Sequence, residues 1–226
     1  MADITIYLGN KNYSSWSLRP WLALRHAGVP FAEVVIPLDQ ADSTTNIRRH
    51  SPTGRVPALR HGEVLVWESL AICEYLAETF PAAQLWPADP GVRAHARAVS
   101  NEMHAGFAAL RDKLPMDIRA RWPLGDRKTF VGDDIRRVTA IWRECRERFG
   151  ARGANGAGEY LYGAFTIADA MFAPVTTRFV TYGVPLDPVA ASYVEAVTGS
   201  PTMQAWAADA AQEPWTIHHD LNDAMA

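Results

Sequence analysis

Apolar positions follow two regimes along the chain, short runs separated by turn signals up to about residue 80 and helical spacing afterwards. Ile4 to Leu8 reads as a short strand, and Leu18, Trp21, Leu22 and Leu24 share a helical face that Gly28 and Pro30 end. Phe31 to Pro37 reads as a second strand, and a short polar helix near Thr44 to Arg49 precedes the Ser51-Pro52-Thr53-Gly54 turn. Pro57 to Leu59 and Val64 to Trp67 read as a hairpin closed by His61-Gly62-Glu63, and Leu70, Cys73, Leu76 and Ala77 give the buried face of the next helix. The order is therefore βαβαββα. Pro81, Pro87 and Pro90 then mark a linker, where neither a continuous helix nor a strand is expected.

Everything beyond the linker reads as helix. A long helix is expected from Val92 towards Arg119, ending near Trp122-Pro123, and a second from Arg127 to Phe149. Four glycines between positions 150 and 158 predict a loop. Thr166-Ile167-Ala168-Asp169 has the spacing of a capping box, in which each side chain satisfies a backbone N–H of the other residue. Asp169 thus reads as structural, and Pro174 is expected to kink the helix that follows. The expected organisation is an α/β unit over residues 1–82 and an all-α unit over residues 90–226.

The 226 residues provide ample core for this plan, and a formal net charge of −3 argues against nucleic acid as an obligate partner. Cys73 and Cys145 are far apart, so neither a disulfide framework nor a zinc cluster is indicated, and the histidines, His218-His219 included, give no metal set. No apolar run approaches membrane-spanning length and no leader is evident, so a cytoplasmic location without membrane contact is expected.

The chemistry concentrates in two places. A Val56-Pro57 step entering a strand suits a cis peptide bond, which would turn the Val56 backbone outward for an extended peptide to pair with. Eleven residues after Pro57, Glu68-Ser69 stands where a strand gives way to a helix. Free N–H groups at a helix start suit a carboxylate, and Glu68 can accept from an ammonium. A backbone clamp, a carboxylate site and an ammonium site together suit one small peptide.

With these residues the sequence resembles the glutathione S-transferase superfamily. The resemblance runs from Ile4-Thr5-Ile6-Tyr7-Leu8 and Tyr13-Ser14-Ser15-Trp16-Ser17-Leu18-Arg19-Pro20 through Val56-Pro57 and Glu68-Ser69 to Thr166-Ile167-Ala168-Asp169. It implies a thioredoxin-like N-terminal domain with a mixed four-stranded sheet, followed by an all-helical C-terminal domain. It also implies glutathione as co-substrate without a metal, a homodimer, and a role in detoxification. Val56 would pair with the cysteinyl part of glutathione, with Pro57 holding its turn. Glu68 and Ser69 would hold the γ-glutamyl group, and Arg55 would reach the glycyl carboxylate.

The thiolate, not the thiol, is the nucleophile, so the protein must favour the charged form of sulfur. A donated hydroxyl proton and a helix N-terminus both do so. Ser-Ser-x-Ser-x-Arg is similar to the zeta-class form of the motif in bacterial and other members, which assigns the hydroxyl to Ser14. Ser15 is the second choice, Tyr13 stays open, Ser17 reads as the helix N-cap, and Pro20 is expected in the first turn. Trp16 departs from the zeta pattern, which has cysteine there, and this weakens the reading as a zeta-type isomerase of maleylacetoacetate or a similar diacid.

The second substrate is expected between this loop and the first helix of the all-α unit. Met103, Phe107 and Leu110 recur at helical spacing and would line an apolar pocket, with core packing the alternative, strongest for Leu110. His104 and Arg111, seven apart, would share a face and contact a polar group, as would Arg178 on the later helix. The leading function is a glutathione transferase acting on a largely apolar electrophile, with peroxidase side activity compatible. A non-catalytic binding module of the same fold is the competing class.

Overall fold

The computed structural model describes residues 3–150 and 158–217. The first half holds β1 (Ile4–Leu8), α1 (Ser15–Ala27), β2 (Ala32–Val35), α2 (Ser43–Arg48), β3 (Ala58–His61), β4 (Val64–Trp67) and α3 (Ser69–Thr79). The sheet order is β2-β1-β3-β4, with β1 parallel to β2 and the other pairs antiparallel. This is the expected mixed four-stranded sheet, the βαβ step supplying the parallel pair, the hairpin one antiparallel pair and β3 against β1 the other.

Strand periodicity splits β1 between two cores. Ile4, Ile6 and Leu8 face the main core with Leu18, Leu22 and Leu76, while Tyr7 joins Ile36, Ile47 and Ala58 on the other side. Ser14 caps α1, its hydroxyl oxygen accepting from Ser17 N–H at 3.3 Å, and Gly28 ends the helix at a φ of +68°, where glycine has no Cβ penalty. The cap is therefore Ser14 rather than Ser17, and Pro20 sits within the helix instead of in its first turn.

The second half holds α4 (Pro90–Ala105), α5 (Ala108–Lys113), α6 (Lys128–Phe149), α7 (Ile167–Thr181), α8 (Pro188–Thr198) and α9 (Pro201–Gln212). Helix α7 is buried all round except at Val180, as befits a helix that packs against α1, α4 and α8. Its capping box forms as expected. Asp169 accepts from Thr166 N–H at 2.8 Å and Thr166 Oγ1 at 3.0 Å, and from Leu161 N–H at 3.0 Å and Tyr193 Oη at 3.1 Å. Burial still outweighs these four donors and pushes its carboxyl up to about 6.

The long helix expected over residues 92–119 is broken. Gly106 is extended and Phe107 adopts a φ of +60°, so α4 stops at Ala105 and a separate short helix follows. The Arg111 side chain folds back on the break, donating to the carbonyls of Gly106 at 3.0 Å, His104 at 2.9 Å and Met103. It thereby satisfies the orphan carbonyls that every helix end leaves. The glycine-rich stretch falls largely on residues 151–157 and His218-His219 on the last nine, all outside the described residues.

Candidate active site

The loop between β1 and α1 is fastened from both halves of the molecule. Gly9 N–H donates to Ser17 Oγ at 3.0 Å, and Leu38 N–H to Asn10 Oδ1 at 2.7 Å. From 202 residues away the Glu213 carboxylate accepts from Lys11 N–H at 2.6 Å, and also from Asn12 N–H at 3.2 Å. Lys11 Nζ lies 2.6 Å from both Glu33 and Asp209, and its carbonyl accepts from Trp206 Nε1 at 2.8 Å. Arg119 bonds Tyr13 Oη at 3.0 Å and the carbonyls of Glu213 and Trp215. Two successive backbone N–H groups on one carboxylate fix the path of the chain into Ser14.

Beside this loop lies a cleft of about 190 Å³ lined by Trp16, Thr53, Arg55, Val56, Pro57, Glu68 and Ser69. The Val56-Pro57 peptide bond is cis, as the sequence suggests. Neither the N–H nor the C=O of Val56 has a backbone partner among the described residues, which leaves an open edge for an added strand. Glu68 precedes α3 with a φ of +70°, a conformation that costs energy in a residue other than glycine and collects at functional sites. Its side chain caps nothing. Ser69, in the first turn, is buried, and its hydroxyl has no partner among the described residues. A buried hydroxyl at a helix start without a partner is an acceptor-seeking group, of the kind that suits a carboxylate.

Ser14 and Ser15 are both buried, at 6% exposure each, but their hydroxyls are differently committed. Ser14 Oγ donates to Ser17 Oγ at 2.7 Å while accepting from Ser17 N–H, so both functions are in use. Ser15 Oγ accepts from Arg178 Nη2 at 3.3 Å, and its own proton has no acceptor among the described residues.

The side chains expected to line a second-substrate pocket divide. Met103 and Leu110 are fully buried in the core and Phe107 nearly so, so the core alternative applies to more than Leu110. The break at Gly106 removes the single helix on which these spacings rested, so His104 and Arg111 do not share a continuous face. They meet instead at Trp16: His104 packs edge-on against the indole with centroids 5.3 Å apart, and the Arg111 guanidinium lies 4.6 Å from its centre. Burial, then the Arg19 charge, lowers the His104 imidazole below its ordinary value. Arg178 is buried in the interior, its Nε donating to the Leu114 carbonyl at 2.7 Å. Sequence reasoning missed Trp16 as a cleft wall, Arg19 beneath it, and Glu213 as the anchor of the loop.

The fold has counterparts among known proteins. The sequence model of the glutathione S-transferase N-terminal domain matches residues 13–79. A probable maleylacetoacetate isomerase of Caenorhabditis elegans is 37% identical over 98 residues, which are 43% of this chain and 45% of that protein. The chain thus spans about half the length of the curated relatives it matches. A solved glutathione transferase homologue from Burkholderia, with bound glutathione, is 26% identical, covers 93% of this chain and 99% of its own, and superposes with a TM-score of 0.69. Maleyl pyruvate isomerase of the zeta class, 22% identical over 94% of this chain and 100% of its own, shares the fold with a TM-score of 0.70. Residues 13–79 thus match a glutathione S-transferase N-terminal domain, and the chain as a whole shares the fold of solved glutathione transferases.

Proposed function

We propose that the protein is a glutathione transferase that binds the tripeptide in the cleft beside Trp16 and ionises its thiol at the first turn of α1. The observation that carries this reading is the buried, unpartnered Ser69 hydroxyl in a cleft that also holds Glu68 and the open Val56 edge. The γ-glutamyl carboxylate takes the Ser69 hydroxyl and the free N–H groups at the start of α3, and the ammonium takes Glu68. The cysteinyl backbone pairs with Val56, and the exposed Arg55 reaches the glycyl carboxylate.

That pose directs the thiol towards α1, where Ser15 has the uncommitted proton. Ser14, first choice from the sequence, must release Ser17 before it can donate. Ser15 is therefore the catalytic residue of this reading, with the helix N-terminus adding a favourable field. The thiolate then attacks an electrophilic carbon, forming an S–C bond while the leaving group departs with its electron pair. The electrophile is largely apolar, the protein is a cytoplasmic homodimer, and its role is detoxification; these extend the family resemblance.

The names of the nematode relative and of the zeta-class structure favour a second reading on the same thiolate. In it the sulfur adds reversibly to the double bond of a small unsaturated diacid, rotation follows, and sulfur leaves. Turnover of maleylacetoacetate against a chloroaromatic acceptor separates the two.

Glu68→Gln tests the pose. Loss of one charge-assisted contact worth about 1.5–3 kcal/mol should weaken glutathione binding roughly 10- to 100-fold. Calorimetric titration with glutathione measures it, and an unchanged affinity removes Glu68 from the site.

A further inference from the structure

Three arginines gather around the first turns of α1, Arg19 and Arg111 against Trp16 and Arg178 against Ser15. Arg19 is fully buried, its guanidinium 4.4 Å from the indole centre. Its Nε donates to the Met171 carbonyl at 3.2 Å, and Nη1 and Nη2 have no partner among the described residues. Arg111 lies 4.6 Å from the same ring and leaves Nη1 unpartnered; Arg178 likewise leaves Nη1. Burial pushes all three below the ordinary arginine value, Arg178 down to about 10, and repulsion from neighbouring arginines adds to it at Arg19 and Arg178. Buried cations are ordinarily paired, since an uncompensated charge away from water is costly. The electron-rich face of Trp16 offsets part of that cost and supplies no negative charge.

Among the described residues, the charged and titratable neighbours supply it to Arg111 but not to Arg19 or Arg178. On α3, Cys73 is held as a neutral thiol, pushed up to about 12 chiefly by burial. On α4, His104 offers an imidazole rather than an anion. On α6, the Asp134 carboxylate, which accepts from Leu110 N–H at 2.9 Å, attracts Arg111 and serves as counter-charge to that one member. On α7, burial pushes the Tyr182 phenol up to about 12, so it stays neutral. Glu68 lies across the cleft, where its charge reaches His104. Arg19 and Arg178 are left as buried cations without an anionic partner among the described residues.

The cluster has one polar exit. Arg178 Nη2 donates to Ser15 Oγ, and Ser15 is the first residue of α1. A hydroxyl that accepts from a guanidinium is a stronger donor of its own proton, because the two bonds polarise each other. We propose that Arg178, with Arg19 and Arg111 behind it, is the counter-charge of the glutathione thiolate, acting through the Ser15 hydroxyl. Arg178 is thus a positioning residue for thiol ionisation rather than a binding group of the second substrate. The inference rests on the glutathione reading above, and it assigns to the thiolate the counter-charge that Arg19 and Arg178 lack.

The test is the titration of the bound thiol by its ultraviolet thiolate absorbance in wild type, Arg178→Gln and Arg178→Lys, alongside kcat and KM. Removing one opposite charge at this range should raise the bound-thiol pKa by about 1–3 units in Arg178→Gln. KM for glutathione should stay within about twofold, and Arg178→Lys should recover part of the shift. Arg111→Gln, on a short half-buried helix, should shift the pKa in the same direction and serves if Arg178→Gln fails to fold. An unchanged thiol pKa in these variants overturns the inference. So does a loss confined to KM for an anionic acceptor, which makes the cluster an acceptor site. No thiolate band in wild type overturns the glutathione reading itself, and this inference with it.

Discussion

Asp169→Ala is expected to lower the unfolding free energy by about 3–5 kcal/mol, among the largest losses any single substitution here can cause. The carboxylate accepts from Leu161 N–H, Thr166 N–H, Thr166 Oγ1 and Tyr193 Oη, all in the interior. Alanine strands these donors without water, each at about 1–3 kcal/mol, and partial relaxation recovers some of that sum. Helix α7 starts at this cap and packs on α1, so the loss reaches the active-site loop. Urea unfolding should show a lower midpoint at unchanged slope. A change below about 0.5 kcal/mol would contradict this account of the cap.

Asp169 also has a pH signature. Its folded value, about 6, lies above the ordinary 3.8. Between those values the folded chain keeps a proton that the unfolded chain has released, so this group's contribution to stability falls as pH rises through that window. Asp169→Asn removes the titration. The stability difference between wild type and Asp169→Asn should therefore move against wild type as the pH is raised from about 4 to about 6. A difference that stays flat would show that the carboxyl is already ionised throughout.

Ser15→Ala is the second large effect, a fall in kcat/KM of about 10²–10³, the usual consequence of removing one donor from a developing anion. Ser14→Ala should differ in kind. It removes the N-cap of α1 and should cost about 1 kcal/mol of stability, with a smaller effect on the chemical step. Steady-state kinetics on both variants, with thermal unfolding alongside, separates the roles. A collapse of activity in Ser14→Ala with Ser15→Ala near wild type would return the hydroxyl to the residue that the zeta-like motif singles out.

How much of this was legible follows from how local each signal is. The strands and α3 were readable because period-two runs and capping positions are set by neighbours in sequence, and the Thr166–Asp169 box lies within four residues. The Val56-Pro57 bond and the Glu68-Ser69 turn were readable for the same reason. Three serines in four positions gave no local ground for choosing the cap, and the tertiary bond from Gly9 to Ser17 decides it. The break at Gly106 was missed because one glycine in a helical pattern is often tolerated, and Arg111 stabilises the break from five residues away. Arg111 and Arg178 look unrelated to Trp16 and Arg19 along the chain, and only tertiary packing, of α7 against α1 and of the Arg111 side chain on Trp16, joins them. Glu213 is the extreme case, a carboxylate in the last described segment that holds the loop entering the first helix.

The central claim is that the chain binds glutathione and ionises its thiol. The most direct measurement is a pH titration of bound glutathione by its ultraviolet thiolate absorbance on the wild-type protein. The titration midpoint should lie well below the roughly 8.5 of an unperturbed cysteine thiol. A midpoint at the value of free glutathione, or no saturable absorbance change at all, would contradict it.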